Sequence, residues 1–258
     1  MIYFVGGGVG TADYLTVAAA HVLRKADLIL YSKYLDKDVL KFCKKGCRLV
    51  CFSDLPRQKV DIMLAENRKH LTVYLANGDF ACYGTVQDHF DFCRANYIPF
   101  KVIPGVSSLG AATSVIANEL VLPNISNSLI VTYMDSEGNL MMDQSIEALA
   151  SHRATMAIHM VEPGMYSRLK SRLIKGGYPE YTPIVIVQEA LRSGETVIST
   201  TIKELDVSWN FSWMSLVLVG DVFVDPEKRK SISRLPFTTE FRRAERYNLC
   251  HMRSGIHG

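Results

Sequence analysis

No apolar run in this chain of 258 residues approaches the roughly 18 uncharged positions that a membrane-spanning helix needs. The opening residues, Met1 to Gly8, carry no basic flank ahead of an apolar stretch, so a secretory leader is not expected and a cytoplasmic setting is. An excess of one charge is also lacking. A formal net charge of +3 is too small to argue for a nucleic-acid partner, and no membrane partner is expected. With 48% hydrophobic and 21% charged residues the composition is that of an ordinary globular chain, long enough to bury a substantial core. Neither an internal repeat nor a low-complexity segment is present.

The 6 cysteines supply no metal cluster either. Cys43, Cys47 and Cys51 are spaced four apart and would share one face of a continuous helix. Gly46 interrupts that segment, Arg48 to Phe52 reads as a strand, and nothing nearby supplies a fourth ligand. Reduced cysteines acting as small apolar residues are the better account, and no bound metal is expected.

What the chain does have is alternation. Strand-like runs at Ile2 to Val5, Leu28 to Tyr31, Arg48 to Phe52, Thr72 to Ala76 and Phe100 to Ile103 alternate with helix-like ones. The latter are Tyr14 to Lys25, Lys37 to Lys44, Lys59 to Arg68, Thr85 to Ala95 and Ser107 to Glu119. This predicts an α/β fold built on a mainly parallel sheet covered by helices. Beyond Pro123 the texture changes. Strands are expected at Ser128 to Tyr133, Thr155 to Met160, Pro183 to Gln188, Glu195 to Thr201 and Ser215 to Val219, with a helix at Tyr166 to Lys175. We therefore expect two α/β domains, 1–115 and 116–224, with a ligand cleft between them, and a tail, 225–258. The tail's eight Lys/Arg against four Asp/Glu give it a net +4.

Three small, polar turns stand at predicted strand ends: Gly6 to Gly10, Ala76 to Phe80, and Pro104 to Ser108. Ligands of open α/β sheets collect outside the carboxyl ends of the strands, so these loops point to a small-molecule enzyme. The first is not a dinucleotide fingerprint. The third glycine of that motif would fall at Thr11, and Tyr31-Ser32 stands where its acidic residue belongs. No Gly-Lys-Ser/Thr follows, which excludes a nucleoside triphosphate loop. Asn77-Gly78-Asp79 reads either as a plain turn or as a functional loop offering backbone amides and a carboxylate. Pro104 to Ser108 opens a helix whose free amides and the hydroxyls of Ser107 and Ser108 are ready donors.

Val5-Gly-Gly-Gly-Val-Gly-Thr-Ala-Asp-Tyr-Leu-Thr16, Ala26-Asp-Leu-Ile-Leu-Tyr31, Gly78-Asp-Phe-Ala-Cys-Tyr-Gly84 and Pro104-Gly-Val-Ser-Ser108 resemble the S-adenosylmethionine-dependent tetrapyrrole methylases, in order and spacing from residue 1 to about 224. Ser128 to Thr132, Ala148 to His152, Gly177 to Val185, Thr200 to Leu205 and, in the tail, Arg229 to Ser231 and Phe237 to Arg242 are most similar to members that methylate precorrin-4 or cobalt-precorrin-4 at ring carbon 11. The resemblance implies two α/β domains, a homodimer, S-adenosylmethionine as methyl donor and a tetrapyrrole as substrate. Carried over by position, it places Val9, Asn77, Gly78, Asp79, Phe80, Cys82, Ser107, Ser108, Met160 and Ala190 at the donor, and Gly8, Thr11, Lys33 and Tyr83 at the substrate. No general base is indicated. Arg57 and Lys59 join Lys33 as candidates for a basic rim facing the substrate's carboxylates, with an ordinary solvated surface as the alternative for each.

The chain departs from the family pattern in three places. The usual Gly-Pro-Gly-Asp of the first loop is Gly8-Val9-Gly10-Thr11, Phe80 replaces the Pro of Gly-Asp-Pro, and Ser32 stands where uroporphyrinogen-methylating members have an acid. An exposed Phe80 would be expected to line the site and pack against a flat ligand. Two other readings keep the architecture: methylation of a diphthine precursor or ribosomal RNA, for which the basic tail would suit, and a non-catalytic tetrapyrrole or nucleoside binder.

Overall fold

A computed structural model describes the chain except Arg68 and residues 135–141, 206, 207, 210, 213, 226 and 228–258. It divides into two compact units, one of Met1–Ala117 with Val187–Val197, the other of Asn118–Ile186 with the chain from Ile198 on. Each is described by itself.

The first unit holds strands β1 (Ile2–Gly6), β2 (Leu28–Tyr31), β3 (Arg48–Cys51), β4 (Thr72–Ala76) and β5 (Phe100–Ile103) in one sheet of order β3-β2-β4-β1-β5. Every neighbouring pair is parallel. Its helices are α1 (Val17–Leu23), α2 (Arg57–Glu66), α3 (Gln87–Ala95) and α4 (Ser108–Ile116). Because side chains alternate across a strand, the central strands β1, β2 and β4 each feed two cores. Ile2, Phe4, Leu28, Leu30 and Tyr74 join Val60, Leu64 and Cys93 of α2 and α3. Val5, Ile29, Val73 and Leu75 join Ala19 and Leu23 of α1. Burial on both faces is why these strands read as near-continuous apolar runs.

Two expected helices are shorter or tighter than their patterns suggest. Thr16 Oγ1 accepts from Ala19 N at 3.1 Å and so starts α1 three residues late, after a single 3-10 turn at Ala12–Tyr14. Lys37–Phe42 is a 3-10 helix opened by the Asp36 carboxylate, which accepts from Asp38 N at 2.8 Å. Further on, α4 stops at Ile116 because Ala117 takes a left-handed conformation, φ 49°. Cys51 lies in β3, while half-buried Cys43 and Cys47 pack against the core beneath α1, which accounts for the cysteine spacing. Burial pushes the Cys43 thiol up to about 11, as it does Cys93. No group of metal-ligating side chains occurs among the described residues.

Between α2 and α3 the sheet buries a hydrogen-bonded pair that the periodicity could not show: His89 Nδ1 sits 2.6 Å from Asp61 Oδ1, with both side chains buried. The Tyr74 ring lies against His89 at 5.2 Å and stacks on Phe52 at 4.4 Å. Removing the imidazole leaves a buried polar group without its partner and a gap beside Tyr74, so His89→Ala should lower unfolding stability by about 3 kcal/mol. Urea unfolding checks this. A change below about 1 kcal/mol would mean that water reaches Asp61.

The second unit holds β6 (Leu129–Tyr133), α5 (Ile146–Ala150), β7 (Thr155–His159), α6 (Tyr166–Lys175), β8 (Pro183–Gln188), β9 (Thr196–Thr201) and β10 (Ser215–Val219), the sheet running β6-β7-β10-β8-β9. β6 is parallel to β7, and β10 antiparallel to it. Ile146, Met156, Ile158, Tyr166, Leu169, Leu173, Val217 and Val219 form its core. Phe211 is buried there edge-on to Tyr166, and Trp209 packs edge-on to Phe211. These aromatics therefore serve the interior and not an exposed apolar surface, while Trp213 and the tail from residue 228 lie outside the described residues. No helix among the described residues is long and apolar enough to cross a membrane.

Candidate active site

β1 lies between β4 and β5, and all three run the same way, so the loops that follow them leave one edge of the sheet side by side. They touch through backbone. Gly7 N donates to Ala76 O at 2.6 Å, Gly8 N to Gly78 O at 3.1 Å, and Gly78 N back to Gly8 O at 2.7 Å. A Cβ on Gly6 would lie 2.6 Å from Gly105 N and 2.8 Å from Gly78 O, and one on Gly105 would meet Gly78 O and the Gly6 backbone. Thr16 Oγ1 adds a bond to Pro104 O at 3.4 Å. Three chain segments are thus fused into one floor, and glycine is there because nothing larger fits.

Gly78 differs from its neighbours. Its backbone is left-handed, φ 69°, but a Cβ built on it meets nothing within 4 Å. Its amide, expected to turn toward a ligand, is taken by Gly8 O. What Gly78 contributes is an open flank. Asp79 beside it uses Oδ1 to hold Ala81 N at 3.2 Å, while Oδ2 accepts from none of the described residues. On the other side Asn77 Oδ1 accepts from Ser32 Oγ at 3.4 Å. Ser32 is buried, and its own amide donates to Leu75 O at 3.0 Å.

The remaining residues of the second loop divide between surface and core. Cys82 and Tyr83 are exposed, Tyr83 with a left-handed φ of 54°. Phe80 turns away from solvent: its ring packs edge-on to Phe90, centroids 6.2 Å apart, against the core beneath α2 and α3. The bulk at this position is accommodated by packing, so Phe80→Ala should cost about 2 kcal/mol of stability, less than for a fully buried Phe, with donor affinity close to that of the parent. Paired thermal melts and donor titrations would show it. A binding loss without a stability loss would put the ring back in the site.

In the first loop Val9 is half-buried between Gly8 and Gly10, with φ values of 72° and 78°, and Thr11 Oγ1 donates to Asp13 Oδ2 at 3.3 Å. In the third, Ser107 Oγ accepts from Gly110 N at 3.0 Å as the cap of α4, so its oxygen is committed to the helix, and Ser108 is the first helical residue. Ala190 belongs to Val187–Val197, the piece of the second half that folds into the first unit. It sits between Glu189, φ 46°, and Leu191, φ 63°. Left-handed backbone at non-glycine residues costs on the order of 1–3 kcal/mol each and collects at functional sites.

Lys33 is paired at the surface with an acidic neighbour. Its Nζ lies 3.0 Å from Asp54 Oδ1, and this carboxylate raises the lysine's pKa. Arg57 pairs with Asp88 in the same way. Met160 follows β7 in the second unit, half-buried with φ 56°. The structure of the first unit thus brings together Gly8, Val9, Thr11, Asn77, Gly78, Asp79, Ser107, Ser108 and Ala190, with Cys82 and Tyr83 exposed further along the second loop and Phe80 turned to the core. Sequence reading passed over Gly105's role as a spacer, the Ser32 bond and the neighbours of Ala190. Thiol chemistry offers a check on this geometry: a maleimide at pH 7 should label exposed Cys82 before Cys43 and Cys93, whose thiols burial keeps protonated. Peptide mass mapping reads the order, and prior labelling of Cys93 would contradict the packing.

Known proteins resemble this chain in sequence and in fold. The family model of the tetrapyrrole (corrin/porphyrin) methylases matches residues 1–206. A cobalt-precorrin-4 C(11)-methyltransferase of Methanocaldococcus jannaschii is 30% identical over 227 residues, covering 86% of this chain and 87% of its own. One from Priestia megaterium is 26% identical over 252 residues, with 94% and 97% covered. Among solved structures, a cobalt precorrin-4 methyltransferase of cobalamin biosynthesis superposes with a TM-score of 0.80 at 23% identity, over 87% of this chain and 96% of that one. The uroporphyrin-III C-methyl transferase of Thermus thermophilus complexed with S-adenyl homocysteine gives a TM-score of 0.72 at 23% identity, over 86% and 92%. With the family model matched over most of its length and a relative of 30% identity covering 86% of it, this chain belongs to the tetrapyrrole methylases.

Proposed function

We propose that this chain transfers the methyl group of S-adenosylmethionine to ring carbon 11 of precorrin-4 or cobalt-precorrin-4. The observation that carries the reading is the glycine floor at the ends of β1, β4 and β5 with one open flank at Gly78, in a chain whose full-length relatives are named for that reaction. The residues fit the donor's chemistry. Gly78 leaves room for close approach along the backbone, Asp79 Oδ2 is available to a hydroxyl or ammonium group, and the Ser107 hydroxyl can still donate its proton.

The reaction asks little of side chains. An electron pair on the macrocycle carbon forms the new bond to the methyl group while the carbon–sulfur bond breaks and its electrons stay on sulfur. The sulfonium becomes the neutral thioether of S-adenosylhomocysteine, and its positive charge passes to the macrocycle. Loops joined through their backbones position donor and acceptor in line, and effective molarities of about 10⁵ M or more for well-oriented groups make that positioning the main source of rate. Asp79 orients the donor and the rigid loops exclude alternative poses. Work in the cytoplasm and as a homodimer belongs to the same reading.

Methyl-labelled donor and cobalt-precorrin-4 test it directly, with calorimetry of S-adenosylhomocysteine expected to show one site per chain. Donor binding with transfer only to a different acceptor would overturn the substrate. Absence of donor binding would overturn the enzymatic reading. Light scattering should return twice the 28.9 kDa chain mass.

A further inference from the structure

The turn Glu189–Leu191 holds two left-handed non-glycine residues around Ala190, and something must hold it there. Its own segment supplies part of the restraint: Glu195 Oε2 accepts from Leu191 N at 2.8 Å, Arg192 N donates to Glu189 O at 3.0 Å, and Glu195 N to Arg192 O at 3.1 Å. The remaining restraint reaches across the first unit. Arg192 donates from its guanidinium to Tyr34 O at 2.6 Å, and Leu191 rests where a Cβ on Gly10 would stand. Tyr34 N in turn donates to Ser32 Oγ at 3.3 Å, and Ser32 Oγ donates to Asn77 Oδ1. One continuous set of bonds therefore runs from the Asn77 loop through Ser32 and Tyr34 to Arg192, and by packing from Leu191 to the first loop.

We propose that Arg192 is a positioning residue of the methyl-donor site: its bond to the Tyr34 carbonyl latches the Glu189–Leu191 turn onto the first and second loops and so sets Ala190 and Gly10 for the donor. This rests on the methyltransferase reading above. A charged donor to a carbonyl is among the stronger hydrogen bonds, and its loss releases a strained turn that no ordinary loop propensity would restore.

The test compares Arg192→Ala, Arg192→Lys and the parent, each as the full chain. In the ligand-free protein, Arg192→Ala should speed amide exchange at residues 8–11 and 189–192 and leave the strands as protected as before. Titrated with S-adenosylhomocysteine it should bind about tenfold more weakly, with a higher KM for the donor and kcat little changed. Arg192→Lys, which keeps a cationic donor, should recover most of that affinity. Parental exchange and affinity in Arg192→Ala would overturn the latch. Equal losses of thermal stability in both variants, without the localised exchange, would mark a merely structural arginine and overturn it too. If the parent itself binds no S-adenosylhomocysteine, the donor-site role falls with the methyltransferase reading, and exchange still reports on the contact.

Discussion

Gly105→Ala should lower unfolding stability by about 3 kcal/mol and remove donor binding, although it adds a single methyl group to an ordinary loop. The cost is one of space. A Cβ at Gly105 collides with Gly78 O and with the carbonyl of Gly6, and all of these are backbone atoms. No side chain can swing aside. Relief would require the loop after β5 to draw away from those after β1 and β4, which opens its backbone packing on Gly6 and Gly78 and pulls on the Thr16–Pro104 bond. Overpacking ordinarily costs about 1–3 kcal/mol, and rigid surroundings put this site at the upper end or beyond. Gly110→Ala is the control. It lies inside α4 on the exposed side, its Cβ would be 3.4 Å from Ser107 Oγ, and alanine there should stabilise the helix by about 0.5–1 kcal/mol. Urea unfolding of the two variants decides the matter. A Gly105→Ala chain within about 1 kcal/mol of the parent would mean that the three loops are not fused.

The legible part of this molecule is what local pattern determines. The strands Thr72–Ala76, Phe100–Ile103, Pro183–Gln188 and Ser215–Val219 and the helix Tyr166–Lys175 stand in the sequence as apolar runs or stripes bounded by turn residues, and the structure has the same bounds. The segment 37–44 reads as helix-like, and the structure makes Lys37–Phe42 a 3-10 helix; 3-10 and α patterns look alike over so few residues, and the type of helix is not in the pattern. The loops stand in the sequence as small, polar turns at strand ends, and the family resemblance implies a donor site there. Which glycine does what was not legible. Gly6 and Gly105 are spacers and Gly78 an opening, a distinction that lies in what stands opposite each one in space.

The contacts that tune the site escape a linear reading altogether. Ser32 meets Asn77 across 45 positions and Arg192 meets Tyr34 across 158, and neither pair carries a local signature. The same holds for Phe80. Its place in a functional motif suggested a ligand, but one partner on α3, Phe90, is enough to draw the ring into the core. In the second unit Trp209 and Phe211 pack on the interior in the same way, because the apolar area of an aromatic ring is satisfied by any interior within reach.

Gly78→Asn should cost little stability and nearly all of the donor affinity, the reverse of what the floor glycines do. Asparagine tolerates left-handed backbone better than other side chains, so the φ of 69° carries a penalty of under about 1 kcal/mol. A Cβ there meets no protein atom within 4 Å, so the fold accepts it without rearrangement. The new side chain has one direction to go, into the flank where the donor must lie if the loop is a ligand loop. An obstructed approach of even one well-packed group costs several kcal/mol, so affinity for S-adenosylhomocysteine should fall by about 100-fold or more. Asp79→Ala is the companion variant. It removes the carboxylate and leaves the space, so its loss should be smaller, about tenfold to a hundredfold for a hydrogen bond to a charged group. Calorimetric titration of the three proteins, with melting curves to confirm folding, separates the terms. Parental affinity in Gly78→Asn would show that the donor does not approach this flank. In that case the conformational freedom of Gly78 serves only the backbone bridge to Gly8.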